Sequence, residues 1–228
     1  MVHVNELKDL LLSNGANLVG FANLNGINQN IEMPYGVCVA VKLSPELIMS
    51  IHDGPNIFYC NEYNRINDLL DKIITTGTEY LIKKGFKALA QTRDTVKQND
   101  NYETKLPHKT IGTRAGLGWI GKCGLLVTKE YGSGIRISSF LTNAELNCNE
   151  PINESLCDDC IECVKYCPGG AITGKSWKAK MERCELIDVK KCAKTAQALS
   201  MERIKKDMRL CGKCFEVCPY TIEYINRN

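Results

Sequence analysis

Cys157-Asp158-Asp159-Cys160-Ile161-Glu162-Cys163-Val164-Lys165-Tyr166-Cys167-Pro168 is the stretch on which the reading of this chain turns. Its spacing, C-x2-C-x2-C-x3-C-P, is that of bacterial ferredoxins. Three thiolates on one tight loop hold three corners of an iron–sulfur cube, while the fourth, before proline, points away to a second cluster. Further on, Cys211-x2-Cys214-x3-Cys218-Pro219 repeats the end of that run without its first cysteine. Two such runs that exchange their last cysteines bind two [4Fe–4S] clusters. Cluster one takes Cys157, Cys160, Cys163 and Cys218. Cluster two takes Cys167, Cys211, Cys214 and one thiolate from the intervening segment, for which Cys184 and Cys192 compete. Zinc is the rival metal because paired C-x2-C knuckles bind it, but the first run overcrowds a tetrahedral site.

The rest of the composition agrees with redox chemistry. The chain has 13 cysteines among 228 residues, an odd number that argues against a disulfide framework. Its N-terminus, MVHVNELKDLLLSNG, has no basic n-region, and no apolar run approaches the ~18 residues of a membrane helix. A cytoplasmic protein with no membrane partner is expected. Cys38, Cys60, Cys123 and Cys148 precede residue 150, whereas nine cysteines lie between Cys157 and Cys218. The formal charge of +3 also falls entirely after residue 150. The polar stretch NAELNCNEPINESL therefore reads as a linker between domains 1–148 and 149–228. Two oxidised clusters with their thiolates contribute about −4, so the excess lysines are poor evidence for nucleic-acid binding.

Residues 1–148 alternate helix and strand signals. Asn5 is a candidate cap for a short helix carrying Leu7, Leu10 and Leu11, closed by Gly15. NLVGFA and YGVCVAVKL read as strands, and Ser44-Pro45-Glu46 as a helix start. Apolar residues at Ile66, Leu69, Leu70, Ile73, Ile74, Tyr80 and Leu81 predict a helix from about Tyr63 to Lys84. KALAQ is a candidate strand and 91–107 a polar loop. CGLLVT and GIRISSFLT read as two strands joined by KEYGS. The fold class is mixed α/β for this domain, with a ferredoxin-like domain after it.

Before the linker, Gly112, Gly116, Gly118, Gly121 and Gly124 are interleaved with Arg114, Trp119 and Lys122. Glycines at this density allow close backbone approach to a flat or anionic ligand, and the cations suit carboxylate or phosphate. The alternative is a tight connection with Trp119 in the core. GLGWIG is not a dinucleotide fingerprint, since a strand follows it where a helix is needed.

The strings RAGLGWIGK and LLVTKEYGSGIRISSFLTNAEL, with the doubled cysteine run, resemble the epoxyqueuosine reductase family, cobalamin-dependent iron–sulfur enzymes related in architecture to reductive dehalogenases. The resemblance is specific over Pro107–Leu146 and Cys157–Tyr220. It implies a nitroreductase-like α/β domain that holds a corrinoid against the cluster domain, with Arg114, Gly116, Gly118, Trp119, Gly121 and Lys122 lining the cavity. The family's D-x-x-x-C pattern fits Asp188-Val189-Lys190-Lys191-Cys192, which selects Cys192 over Cys184 as the last ligand.

Three features depart from the family. Its acidic proton donor is missing from YETKLPHKTIGTRAG; Tyr102, Glu103 and His108 are the weak substitutes, each read as a surface residue. Cys123 stands where the family has a polar non-thiol residue; it reads as a packed strand thiol. The chain also looks like a short form without the helical-repeat region that grips tRNA, which makes tRNA a doubtful partner.

The reading is of an oxidoreductase that passes electrons from a ferredoxin- or flavodoxin-type donor protein through two [4Fe–4S] clusters. The acceptor is a cofactor, such as cobalamin or another corrinoid, or a small molecule. The alternatives are a non-enzymatic ferredoxin-type electron carrier and a reductive activator of a corrinoid protein. No serine–histidine–acid constellation and no Walker loop can be traced.

Overall fold

Ser44 Oγ accepts a hydrogen bond from the Leu47 backbone N–H at 3.2 Å, and Pro45 occupies the first helical turn, so a helix starts where the sequence signals one. In the computed structural model, which describes residues 3–27 and 32–227, the elements run in the following order. They are α1 (Val4–Ser13), β1 (Leu18–Asn23), β2 (Tyr35–Lys42), α2 (Pro45–Ser50), α3 (Ile57–Lys83), β3 (Ala88–Ala90), α4 (His108–Arg114) and β4 (Trp119–Ile120). Then come β5 (Leu126–Val127), β6 (Ile135–Thr142), α5 (Glu162–Lys165), α6 (Arg183–Leu186), α7 (Val189–Ile204), α8 (Lys213–Glu216) and α9 (Pro219–Asn226). The mixed α/β class expected from the periodicities is present. No helix among the described residues is long and apolar enough to cross a membrane.

Packing divides the chain into two compact units, each built from three stretches. The first comprises residues 1–41, 66–118 and 136–152. Its sheet has the order β1-β2-β6-β3, with β1 antiparallel to β2 and β3 antiparallel to β6. Ala22, Leu24, Cys38, Leu106, Ile111, Ala115 and Leu141 form a buried cluster. A Cβ on Gly20 would stand 2.5 Å from the Ala115 carbonyl oxygen, so only glycine lets α4 lie this close to β1. Cys38 is fully buried, and burial pushes its thiol up to about 12, which suits the packed role read from VCVAV.

Two boundaries differ from the sequence reading. α1 is preceded by His3, which makes no side-chain cap, and Asn5 lies inside the helix. α3 begins six residues before Tyr63 because Asn56 Oδ1 accepts from the Tyr59 N–H at 2.8 Å and nucleates the turn. Its apolar stripe still buries Ile66, Leu70, Ile73, Ile74 and Leu81.

The second unit comprises residues 42–65, 119–135 and 153–228. Within it β4 and β5 pair antiparallel, Trp119 with Val127 and Ile120 with Leu126. CGLLVT and GIRISSFLT both contain strands, but β5 pairs with β4 and β6 joins the four-stranded sheet. The cause is local. Thr128 and Gly132 exchange backbone hydrogen bonds of 2.9 and 3.0 Å, closing the intervening residues into a loop that ends β5 after two residues. α9 is held to the start of the unit by Tyr224, whose buried Oη donates to the Leu43 carbonyl at 2.9 Å.

Candidate iron–sulfur site

Both cysteine runs fold as a turn, a four-residue helix and a Cys-Pro step. In the first, Cys160 N–H closes a turn on the Cys157 carbonyl (2.9 Å) with Asp158 at φ +41°, and α5 follows. In the second, Gly212 at φ +85° turns the chain into α8, and Cys218 precedes Pro219 at the start of α9. The two short helices pack against each other. The shared form follows from shared spacing: three intervening residues between the third and fourth cysteines make about one helical turn, and proline begins the next element.

Of the nine cysteines after residue 150, eight are half-buried and only Cys184 is exposed. Cys192 sits in the first turn of α7. Asp188 Oδ1 accepts from the Lys191 N–H at 3.0 Å and caps that helix, while Cys192 N–H bonds the Asp188 carbonyl at 3.0 Å. The D-x-x-x-C pattern is thus a capped helical turn that fixes where the thiol emerges. Burial, and then the negative charges available to Cys167 and Cys211, push the Cys192 thiol up. Burial does the same at Cys211, where Cys167 adds to it and the Lys213 N–H opposes it. Cys192 is thus near enough to Cys167 and Cys211 to feel their charge, whereas Cys184 is exposed.

The thiols carry preformed donors. Burial pushes Cys218 up, against the Thr221 and Tyr220 N–H groups and then the Ser133 and Thr221 hydroxyls, all of which favour the thiolate. Ser133 Oγ is buried and makes no hydrogen bond among the described residues, while its hydroxyl is near enough to Cys218 to favour the thiolate. Ala171 N–H approaches Cys167 Sγ at 3.3 Å. These donors, the half-buried thiols and the hard turns fit a pair of iron–sulfur clusters: thiolate sulfur is the ligand such clusters use, and N–H and O–H groups aimed at it set the potential. Among the described residues no three His, Cys, Asp or Glu side chains converge tightly enough for a single metal ion.

The glycine-rich segment divides between the units. In the first, the Arg114 guanidinium donates to the Ile152 carbonyl. Gly116, at φ +67°, would place a Cβ 2.7 Å from the Glu150 carbonyl oxygen, and Gly118 is buried. In the second, Trp119 is fully buried and meets the Tyr220 ring edge-on at 4.8 Å; its indole N–H has no hydrogen-bond partner among the described residues. A Cβ on Gly121 would lie 3.6 Å from Cys157 Sγ and 2.8 Å from a Val127 methyl. The Lys122 ammonium, buried with its side chain, donates to the Asp158 carbonyl at 2.6 Å.

The proton-donor candidates occupy different surroundings. Glu103 is exposed and accepts from Asn99 Nδ2 at 2.9 Å. Tyr102 is half-buried in the same turn at φ +58°. His108 is not the surface residue expected. Its Nδ1 lies 2.7 Å from Ser139 Oγ, which donates to Gln91 Oε1 at 2.6 Å, and burial drives the imidazole down to about 4. At neutral pH it has no imidazolium proton to give. The sequence reading missed Ser133 and Thr221 as groups that favour the Cys218 thiolate. The tight loop KEYGS was the available signal for Ser133.

Residues 156–221 match a family described as a 4Fe-4S double cluster binding domain. Over 151 residues the chain is 30% identical to the epoxyqueuosine reductase of Lactococcus garvieae (strain Lg2), a match covering 63% of this chain and 42% of that protein. The chain thus spans less than half the length of that relative. The fold is similar to that of a reductive dehalogenase solved in relation to B12-dependent dehalogenation, with a TM-score of 0.74 at 18% identity over 97% of this chain and 32% of the other. It is also similar to an epoxyqueuosine reductase solved with an epoxyqueuosine-modified tRNA stem loop, with a TM-score of 0.64 at 17% identity over 96% and 65%. The case made against tRNA from the sequence is not borne out, because a relative of this fold holds a tRNA stem loop.

Proposed function

We propose that this epoxyqueuosine-reductase-like chain, with its double [4Fe–4S] binding domain, is an oxidoreductase that relays electrons through two clusters. Cys157, Cys160, Cys163 and Cys218 would hold the first, and Cys167, Cys192, Cys211 and Cys214 the second. When bound, each cluster supplies one-electron redox chemistry. The protein's own part is to hold the thiolates, keep water from them and stabilise added negative charge. Ser133, Tyr220 and Thr221 do this at Cys218, and Ala171 does it at Cys167. The observation that carries the reading is the shared form of the two cysteine runs, each a turn, a four-residue helix and a Cys-Pro step, inside residues that match a 4Fe-4S double cluster binding domain. Anaerobic reconstitution followed by iron and sulfide analysis tests it. About eight of each per chain are expected, and stoichiometric zinc without sulfide would reject it.

The acceptor follows from the relatives. We assign the cluster ligands to residues 149–228 and acceptor binding to residues 1–148, in a nitroreductase-like arrangement with Arg114, Gly116 and Gly118 facing the acceptor. Trp119, Gly121 and Lys122 we assign to the cluster side, because their contacts are with Tyr220, Cys157 and Asp158. A corrinoid is the cofactor to test, epoxyqueuosine in tRNA the substrate, and a ferredoxin- or flavodoxin-type protein the electron donor, in a cytoplasmic setting that keeps thiols reduced. Cobalamin added to the reconstituted protein should change its absorption on reduction. Retention of both clusters with no effect on cobalamin would favour the ferredoxin-type carrier, a reading that the closely packed Trp119 already favours.

A further inference from the structure

A largely buried lysine meets each cysteine run, and only one of the two is neutralised. Lys122 is 5% exposed, and its Nζ donates to the Asp158 carbonyl at 2.6 Å. Asp158 follows Cys157 and takes φ +41°, so this bond grips the turn that joins Cys157 to Cys160. Among the described residues no carboxylate pairs with Lys122. The second run is built alike, with Gly212 after Cys211 at φ +85°. Its lysine is Lys213, whose side chain is 18% exposed and whose Nζ lies 2.7 Å from Glu216 Oε2. Lys213 also donates to the His52 carbonyl at 2.9 Å. In the second run the charge is therefore cancelled by a carboxylate one helical turn away.

A buried ammonium that meets only a neutral carbonyl is costly, because burial removes its hydration without supplying a counter-charge. On the two-cluster reading proposed above, on which this inference rests, a cluster with its four thiolates carries about −2. Held by the Cys157–Cys160 turn, that group is the missing counter-charge. The Asp158 and Asp159 carboxylates of the same run are exposed, so water screens them more than it screens Lys122. We propose that Lys122 is the positioning cation of the first cluster. It holds the cysteine turn through the Asp158 carbonyl, and its uncancelled charge raises that cluster's midpoint potential above the second's. An electron entering the pair then settles on the cluster held by Cys157, Cys160, Cys163 and Cys218.

Redox titration of the reconstituted full chain, followed by electron paramagnetic resonance, reads the charge apart from the fold. In Lys122→Met, which keeps the long stem, the higher of the two midpoints should fall. At a fixed potential its reduced-to-oxidised ratio should drop roughly threefold to tenfold, tenfold being about 59 mV for one electron. The lower midpoint should stay in place, so the gap between them narrows. Lys122→Arg, which keeps the charge, should hold both midpoints. Lys122→Gln keeps an N–H donor without the charge; it should behave as the Met variant does, and it takes that variant's place if Lys122→Met fails to load iron. Unchanged midpoints in the neutral variants would overturn the inference, as would an equal fall of both midpoints or a fall in Lys122→Arg as large as in Lys122→Met. Loss of iron in all three variants would overturn it too, by making Lys122 purely structural. The wild-type iron count separately tests the two-cluster reading: a wild type without clusters defeats both, whereas a two-cluster wild type with unresponsive variants defeats only this inference.

Discussion

Gly132→Ala should be among the most damaging single-atom-scale changes in the second unit. Gly132 has φ +57°, a left-handed conformation that costs a residue with a Cβ about 1–2 kcal/mol. The added Cβ would also stand 2.3 Å from the Thr221 backbone nitrogen, 2.4 Å from Thr221 Oγ1 and 2.7 Å from its Cα. These are not the far ends of flexible side chains, so the start of α9 must shift, and overpacking of this kind costs about 1–3 kcal/mol. Together the two effects reach roughly 2–5 kcal/mol. The shift would also pull Thr221 Oγ1 from the Ser133 N–H, now at 3.1 Å, and remove the Thr221 donors from Cys218. Gly85→Ala is the control: its φ is +87°, but nothing lies within 4 Å of the added carbon. Urea unfolding of the reconstituted proteins, followed by circular dichroism, compares them. At a slope of about 2 kcal/mol per M, Gly132→Ala should lower the midpoint by roughly 1–2.5 M. The control should lose no more than about 1 M. Equal losses in the two variants would show that the clash with Thr221 contributes nothing, and the argument from close approach would fail.

Cys192→Ser should lose about half of the bound iron and visible absorbance, since an alcohol is a much weaker iron ligand than a thiolate, while Cys184→Ser should keep both. If iron analysis shows loss in the Cys184 variant alone, the assignment of the second cluster is wrong. His108 should make folding sensitive to acid. Its folded value near 4 lies below the ordinary value of about 6.5, so the unfolded chain binds the extra proton between these pH values. Stability contributed by the neutral ring is therefore present above about pH 6.5 and lost as pH falls toward 4, by at most roughly 3 kcal/mol. His108→Gln should flatten this window in thermal melts, and an unchanged slope would refute the burial of a neutral ring.

The form of the two cysteine runs was legible because the chemistry they suit needs fixed spacing. Cys157 to Cys167 and Cys211 to Cys218 lie within single local motifs, and Asp188 marks the helical turn that delivers Cys192. Strands β1 and β2 and helix α2 were legible for a similar reason, since apolar alternation and the Ser44-Pro45 cap act over a few residues. The start of α3 was missed because Asn56, the residue that caps it, precedes the apolar period. The pairing of β5 was missed because the Thr128–Gly132 closure is a backbone event with no apolar signal. Cys123 was read as a packed thiol, and it is indeed buried. His108 escaped because Ser139 and Gln91 come from other strands or strand ends, and local spacing carries no information about them.

The bond from Tyr224 to Leu43 spans 181 positions of sequence, and this separation sets an order of events during synthesis. At about 5–20 residues per second, roughly ten seconds or more elapse between the emergence of these two partners. Every residue of the first unit has been made once residue 152 is complete. Residues 42–65 and 119–135 must wait for chain made later. Met49, Ile57 and Phe58, exposed even in the finished structure, have fewer partners still during that interval, and the stretch is open to chaperones and to misassociation. If the ligands are those proposed above, iron and sulfide delivered before Cys218 has been made would meet an incomplete set, which would put cluster loading after that residue has left the ribosome.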